Sequence, residues 1–300
     1  MKNLSLYSVL ILLFAFTACE QDGAETDMEE IIGAQTIAAL DIESEEAIES
    51  SFSDIDVITE AGIDVLGVDL NSSGRIIGNR RGRDRKDRAL DCAEITKDTV
   101  NQMITIDFGD GCVGPHGAIR KGKIIIQYSG NRFEAGASKI VTLEDFFIDS
   151  LHIEGTRTTT LVSIDTAASI KVVRTTMEGG KITFADETFA TRDTDHTRTM
   201  VNGDDEDGDY STLAGAASGV KRDGTEYSAT ILEDLLFKRI CWEERVFIAV
   251  SGVKEVVNGE SIAVIDYGDG TCDNEVEITA DGETTTKTIE PKGRLKRKRG

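Results

Sequence analysis

The sequence predicts a mainly β protein: an antiparallel sheet, built as a sandwich, a half-open barrel or an extended meander, preceded by one or two N-terminal helices. Three observations carry this. From Met103 onward, runs rich in Thr, Ile and Val recur at about ten-residue spacing, punctuated by Gly-Asp, Asn-Gly and Gly-Gly, the signature of successive hairpins. Only 2 prolines interrupt the 300 residues, and strand and helix patterns do not alternate, which argues against a parallel sheet. Helical periodicity belongs to the segment before residue 74.

The first nineteen residues, MKNLSLYSVLILLFAFTAC, run from Lys2 through an apolar stretch, Leu6 to Phe16, to small residues closing on Cys19. That stretch is too short for a bilayer core, which needs about twenty residues. Its order of charged, apolar and small residues is that of a cleaved export signal over residues 1–18. Phe16-Thr17-Ala18-Cys19 resembles the lipobox of bacterial lipoproteins, with Phe16 where Leu is usual. The resemblance implies cleavage before Cys19, acylation of its thiol and freed amine, and a membrane partner held through that lipid. Several acyl chains at one terminus anchor stably where a single chain is marginal. Glu20-Gln21-Asp22 resembles the acidic export tag of surface-displayed lipoproteins from Bacteroidota-type bacteria. It implies the outer face of the outer membrane, with the periplasm-facing side as the alternative.

Residues 19–73 read as an acidic tether with an amphipathic helix. Asp27-Met28-Glu29-Glu30 offers a cap ahead of Ile31, Ile32, Ile37 and Leu40. Ser44 with Glu45 and Glu46 opens a longer candidate, in which Ile48, Phe52, Ile55, Ile58 and Val65 recur at helical spacing. A helix with one apolar stripe is expected to pack on the β domain, the alternative being a partner-binding face near the membrane. Residues 74–91 form a polar, basic linker and residues 292–300 a basic tail. Residues 20–79 hold sixteen acids against Arg75 alone, whereas RRGRDRKDR (80–88) carries +4 and KGRLKRKRG (292–300) +6. The chain as a whole carries −22. A body this acidic repels nucleic acid, which is excluded as a partner.

Residues 92–291 form the expected β domain. KIIIQY places Ile124, Ile126 and Tyr128 on one face; KITF (Lys181 to Phe184), FIAV (Phe247 to Val250) and VEIT (Val276 to Thr279) read as further strands. Beyond Cys19, four cysteines in an exported chain imply two disulfides. Cys92 precedes a segment ending in Ile106-Asp107-Phe108-Gly109-Asp110-Gly111-Cys112. Cys241 precedes one ending in Ile265-Asp266-Tyr267-Gly268-Asp269-Gly270-Thr271-Cys272. The repeated pattern pairs Cys92 with Cys112 and Cys241 with Cys272. A zinc site is disfavoured because no CxxC spacing occurs.

Asp107 with Asp110, and Asp266 with Asp269, set carboxylates close together, as calcium binding or acid and base chemistry would require. Asp-Gly is equally the chemistry of a tight turn, and the turn reading is preferred. Asp205, Asp207 and Asp209 look like part of a calcium loop. The EF-hand register, however, puts Gly203 first and Ala214 twelfth, without the closing Glu. No cofactor is expected, calcium being the single alternative. No GxSxG or HExxH occurs, and His116, His152 and His196 lack ligand spacing, so no catalytic residue is assigned. Trp242 is expected to pack on the disulfide beside it.

The segments ITIDFGDGCVGPHGAIRKGKIIIQYSG, EGTRTTT, GKITFADETFATRDTDHTRT and VIDYGDGTCDNEVEIT resemble those of uncharacterised lipoproteins from Bacteroidota-type bacteria, over about Cys92 to Thr279. The resemblance implies location and a β-rich exported domain, and carries no activity, ligand or catalytic residue. Two functions are therefore expected. One is a non-catalytic envelope lipoprotein that binds a glycan or protein or plays a structural part. The other is a hydrolase acting, for example on glycans, through a carboxylate pair that only the fold brings together.

Overall fold

A computed structural model describes residues 55–56, 58–63 and 90–289, apart from 115–116, 132 and 204–207. The export signal, Cys19, the helix expected at Asp27, nearly all of the basic linker and the basic tail lie outside the described residues.

The hairpin pattern folds into one antiparallel meander. β1 (Glu94–Asp98) pairs with β2 (Met103–Asp107); the two-residue β3 (Cys112–Val113) pairs only with β4 (Ile119–Ser129), which lies on the far side of β2. The order continues through β5 (Ser138–Ile148), β6 (Leu151–Asp165), β7 (Ile170–Thr183), β8 (Phe189–Val201) and β9 (Tyr210–Val220). It ends with β10 (Glu226–Lys238), β11 (Ser251–Asn258), β12 (Ser261–Asp269), β13 (Glu275–Ala280) and β14 (Glu283–Thr288). β1 and β14 are the two edges, so the sheet is not closed. Turn chemistry sets the tight reversals. Asp281 and Gly282, both at positive φ (52° and 81°), make the two-residue β13–β14 turn. Paired positive φ values are what a type I′ turn requires.

Pairing registers set Ile104, Ile126, Val141, Arg157, Met177 and Thr194 opposite one another in turn. The same row continues through Ala217, Ala229, Val256, Ala263 and Ala280. Directly opposed residues share a face, so this row marks one face of the sheet from β2 to β13. Both hydrophobic cores sit on it.

Over the N-terminal half, the helix at residues 55–63 covers that face. Ile55, Ile58 and Ala61 are buried with Ile104, Ile106, Ile124, Ile126, Val141 and Phe146. The helix therefore packs on the β domain, as its apolar stripe predicts. Two ion pairs fix it across the sheet, Asp56 to Arg157 at 2.9 Å and Glu60 to Lys139 at 2.7 Å.

Over the C-terminal half, the chain between β10 and β11 takes the helix's place. It makes a 3-10 turn, Ile240–Trp242, and then an irregular stretch. From it, Cys241, Val246, Ile248, Ala249 and Val250 are buried against Ala229, Leu235, Val256, Ile265, Tyr267 and Ile278. Phe247 to Val250 is thus a plug and not the strand its composition suggests. Ile248, Ala249 and Val250 are buried in succession, whereas a strand with one covered face buries alternate residues. Its backbone is still satisfied at Val250, whose N–H donates to the Leu236 carbonyl and whose carbonyl accepts from Gly270 N–H.

The disulfides pair as the repeated motif implies, with Cα atoms 5.6 Å apart for Cys92–Cys112 and 5.1 Å for Cys241–Cys272. Each closes a loop worth about 3 kcal/mol by chain entropy. The repetition extends further. Leu143-Glu144-Asp145 in β5 recurs as Leu232-Glu233-Asp234 in β10, and each lies beside a strand with a bulge at glycine. A Cβ on Gly122 (φ +77°) would stand 2.0 Å from the Asp145 carbonyl oxygen, and one on Gly252 (φ +105°) 2.4 Å from that of Asp234. β2, β4 and β5 thereby correspond to β12, β11 and β10. In strand order the two halves therefore mirror one another about β7 and β8.

Candidate functional site

The face shared by both cores is filled in one half and indented in the other. Small residues make the indentation. Where the first half has Val141 and Arg157 in the row, the second has Ala229 and Ala217. Their side chains leave a cleft of about 170 Å³ beside the plug. Its apolar walls are Leu213, Ile231, Leu235 and Phe237, with Ile248, Ala249 and Tyr267, and Phe247 stands at the lip, 56 % exposed.

Into this lining β8 and β11 bring positive charge. Arg192 and Lys254 are only 5 % and 6 % exposed, and the His196 ring also lines the cleft. Arg192 Nη1 donates to the Tyr227 hydroxyl at 3.4 Å, and that hydroxyl donates to the Thr191 carbonyl at 3.4 Å. Lys254 opposes Ile231 on one side and Ile265 on the other. In the first half the residue paired with Ile106, the counterpart of Ile265, is Ile124, fully buried beneath the helix. Close to Phe237, Arg198 places its guanidinium 5.1 Å from the ring centroid and donates to Ser211 Oγ at 2.9 Å. No Asp or Glu occurs among the described residues lining the cleft. A pocket with cationic groups and apolar walls is therefore set into a chain of charge −22.

The carboxylates singled out by the sequence serve turns. Asp107 Oδ1 accepts from Gly109 N–H at 2.8 Å, and Asp266 Oδ1 accepts from Gly268 N–H at 2.9 Å, the same local bond in both motifs. Asp269 accepts from the Thr271 hydroxyl at 2.7 Å and its N–H at 3.0 Å, which holds its carboxyl below the usual range. Asp107 and Asp110 do share an open hollow with Glu144 and Asp145. Lys121 and Lys123 stand among them, Lys123 at 3.6 Å from Asp107 and 4.0 Å from Glu144. Among the described residues no three His, Cys, Asp or Glu are gathered as a metal site. Asp205 and Asp207 lie outside the described residues; Asp209 Oδ1 accepts from Gly203 N–H at 3.0 Å.

The histidines separate: His152 stacks on Phe147 with centroids 4.4 Å apart, His196 lines the cleft, and His116 is outside the described residues. Trp242, expected on the disulfide, is 55 % exposed, with the Arg239 guanidinium 5.8 Å from its ring centroid. The cleft cations were not among the sequence candidates. A signal existed: Lys254 is in phase with buried Val256, and Arg192 with buried Ala190, along strands of period two.

Compared with known proteins, the chain matches no family model, no curated protein and no solved structure. No helix among the described residues is long and apolar enough to cross a membrane.

Proposed function

We propose that this chain is a lipid-anchored envelope lipoprotein, held to the outer membrane through Cys19 and displayed at the cell surface, that works as a non-catalytic binding module. It would belong with the uncharacterised Bacteroidota-type lipoproteins that its segments resemble. The observation that carries the binding role is the cleft: two nearly buried cations among apolar walls, beside a plug tied down by the Cys241–Cys272 disulfide. A concave, mostly apolar site with a few polar groups in its lining is the kind of feature small-molecule sites use. A carboxylate-dependent hydrolase needs two acids flanking its substrate, and the cleft is lined by none among the described residues. The export signal, the lipobox-like Phe16 to Cys19 and the acidic residues behind it support the address.

Mass spectrometry of the membrane fraction tests the anchor: the N-terminal peptide should begin at an acylated Cys19. An unmodified Cys19, or a chain recovered only from the soluble fraction, would overturn it. Surface labelling of intact cells separates the outer face from the periplasmic one.

A further inference from the structure

We propose that the chain forms a twofold dimer through the open edge of β14, the two copies of Glu283–Thr288 pairing antiparallel with Thr285 on the axis and Glu283 of each opposite Lys287 of the other. This pairing is independent of what the cleft holds and of the lipid on Cys19.

Backbone geometry fixes which groups the edge offers. The two-residue turn at Asp281 and Gly282 makes Ala280 and Glu283 a hydrogen-bonded pair, so Glu283, Thr285 and Lys287 turn their main-chain groups toward β13. Ile289 keeps the phase, its N–H donating to the Asn274 carbonyl at 2.7 Å. Thr284, Thr286 and Thr288 therefore turn theirs outward, where β14 pairs with no other strand among the described residues. The β13–β14 register runs without a bulge and β14 contains no proline, so two devices that ordinarily blunt an edge are lacking.

Side chains select the occupant. In an antiparallel pair an outward residue meets an outward residue, so a self-pairing strand sets each position opposite one an even number of residues away. Placing Thr285 on the axis sets Thr284 opposite Thr286 and, twice over, Glu283 opposite Lys287. Opposite charges directly across a pair stabilise it. A carboxylate accepts several bonds at once, so this pairing does not require Glu283 to give up contacts within its own chain. Thr285 adds an independent sign. Its hydroxyl is buried without a hydrogen-bond partner among the described residues, so turning χ1 toward the axis breaks no bond and brings two hydroxyls together.

The other edge lacks this fit. β1, EITKD, laid antiparallel on itself over its whole length, sets Glu94 opposite Asp98. Like charges so placed destabilise a pair. β14, where Glu283 and Lys287 cancel, is also the edge at which two chains of charge −22 repel least.

Sedimentation equilibrium of the full chain in density-matched non-ionic detergent should give a mass that rises with concentration to twice the monomer's and stops there. Lys287→Glu should weaken the dimer about tenfold or more, two attractive pairs becoming repulsive, and combining it with Glu283→Lys should restore it. Thr286→Pro should abolish the dimer and keep the fold, since that N–H points outward and no ladder bond within the chain is lost. Circular dichroism and the urea midpoint check the fold of each variant. If Thr286→Pro fails that check, the charge exchange alone decides.

Thr285→Cys should form an intermolecular disulfide under mild oxidation, because a non-hydrogen-bonded pair holds its Cα atoms about 4.5 Å apart, within disulfide reach. Thr284→Cys, which meets Thr286 and not itself, should run as a monomer on a non-reducing gel. A monomer at every concentration, indifference to Lys287→Glu, or linking by Thr284→Cys in place of Thr285→Cys would each overturn the proposal. A mass that keeps growing with concentration would overturn it as well, by showing β14 paired with β1 of the next copy in an open chain.

Discussion

The two halves of the sheet share one frame and use it differently. Both place an Ile-Asp-aromatic-Gly-Asp-Gly strand, a glycine bulge and a Leu-Glu-Asp strand side by side, in inverted order about β7 and β8. In the first half large residues and a helix fill the covered face, and the cations on it, Arg157 and Lys139, are matched by Asp56 and Glu60 of that helix. In the second half the row shrinks to Ala217 and Ala229, an irregular plug replaces the helix, and Arg192 and Lys254 face a cleft. Positive charge beneath a lid is thus common to both halves. What differs is how the face is covered: by a helix over large residues in the first half, and by an irregular plug beside a cleft in the second.

Packing gives the strongest way to break this comparison. Phe146 is fully buried beside Phe108, with ring centroids 5.8 Å apart. Phe146→Ala should cost about 4 kcal/mol of unfolding free energy in urea titration. Leu235 lines the cleft from its corresponding strand, where space already exists. Leu235→Ala should cost about 2 kcal/mol, the low end for such a truncation. Equal losses would mean that the second half is as tightly filled as the first.

The shared frame predicts parity at the next level. Gly122→Ala and Gly252→Ala each force a side chain into positive φ and within 2.4 Å or less of a backbone carbonyl. Each should lose about 3 kcal/mol, since strained backbone alone accounts for about 1–3. If only one of the two were sensitive, the inverted repeat would be a likeness of sequence without a mechanical role. A smaller loss tests the acids supplied by the helix. Asp56→Ala deprives a mostly buried Arg157 of its 2.9 Å partner. Asp56 is about a third exposed, so solvent screening reduces the expected loss to about 1 kcal/mol.

How far this arrangement could be read from the chain depends on which residues report locally. Alternation in KIIIQY, the turn pairs and the duplicated Gly-Asp-Gly-Cys motif report on their own neighbours, and they led to the meander and to both disulfides. Ile55 and Ile58 revealed a packed helix face because helical spacing is itself a local signal. Phe247 to Val250 misled, since a short apolar run reads the same in a strand and in a plug. The cleft was invisible for a different reason. Alternation puts Lys254 and Val256 on one face, yet whether that face is covered depends on a segment that folds back across β10 to β12. The Leu-Glu-Asp repeat stood in plain sequence, but only its pairing with Gly122 and Gly252 turns it into a frame.

The smallest effect concerns the turns, where the comparison predicts likeness. Asp98, the last residue of β1, has its carboxyl lowered chiefly by the Asn101 N–H, and Asp269, the last of β12, chiefly by the Thr271 hydroxyl. A folded-state pKa below the unfolded value of about 3.9 means that the protonated chain favours unfolding. The stabilisation is complete above that unfolded value and is lost as pH falls through the folded one. The urea midpoint should therefore drop on acidification below about pH 4. Asp98→Asn and Asp269→Asn keep an acceptor oxygen and remove the titration. Each variant should change stability little at pH 7 and flatten the acid limb slightly, by a similar amount, because both carboxyls are solvent-facing turn groups bonded to a neighbour within three residues. A large acid shift from Asp269→Asn alone would show that the Gly-Asp-Gly turn beside the plug does more than close a loop. It would place the second half's distinctive chemistry at that turn as well as at the cleft.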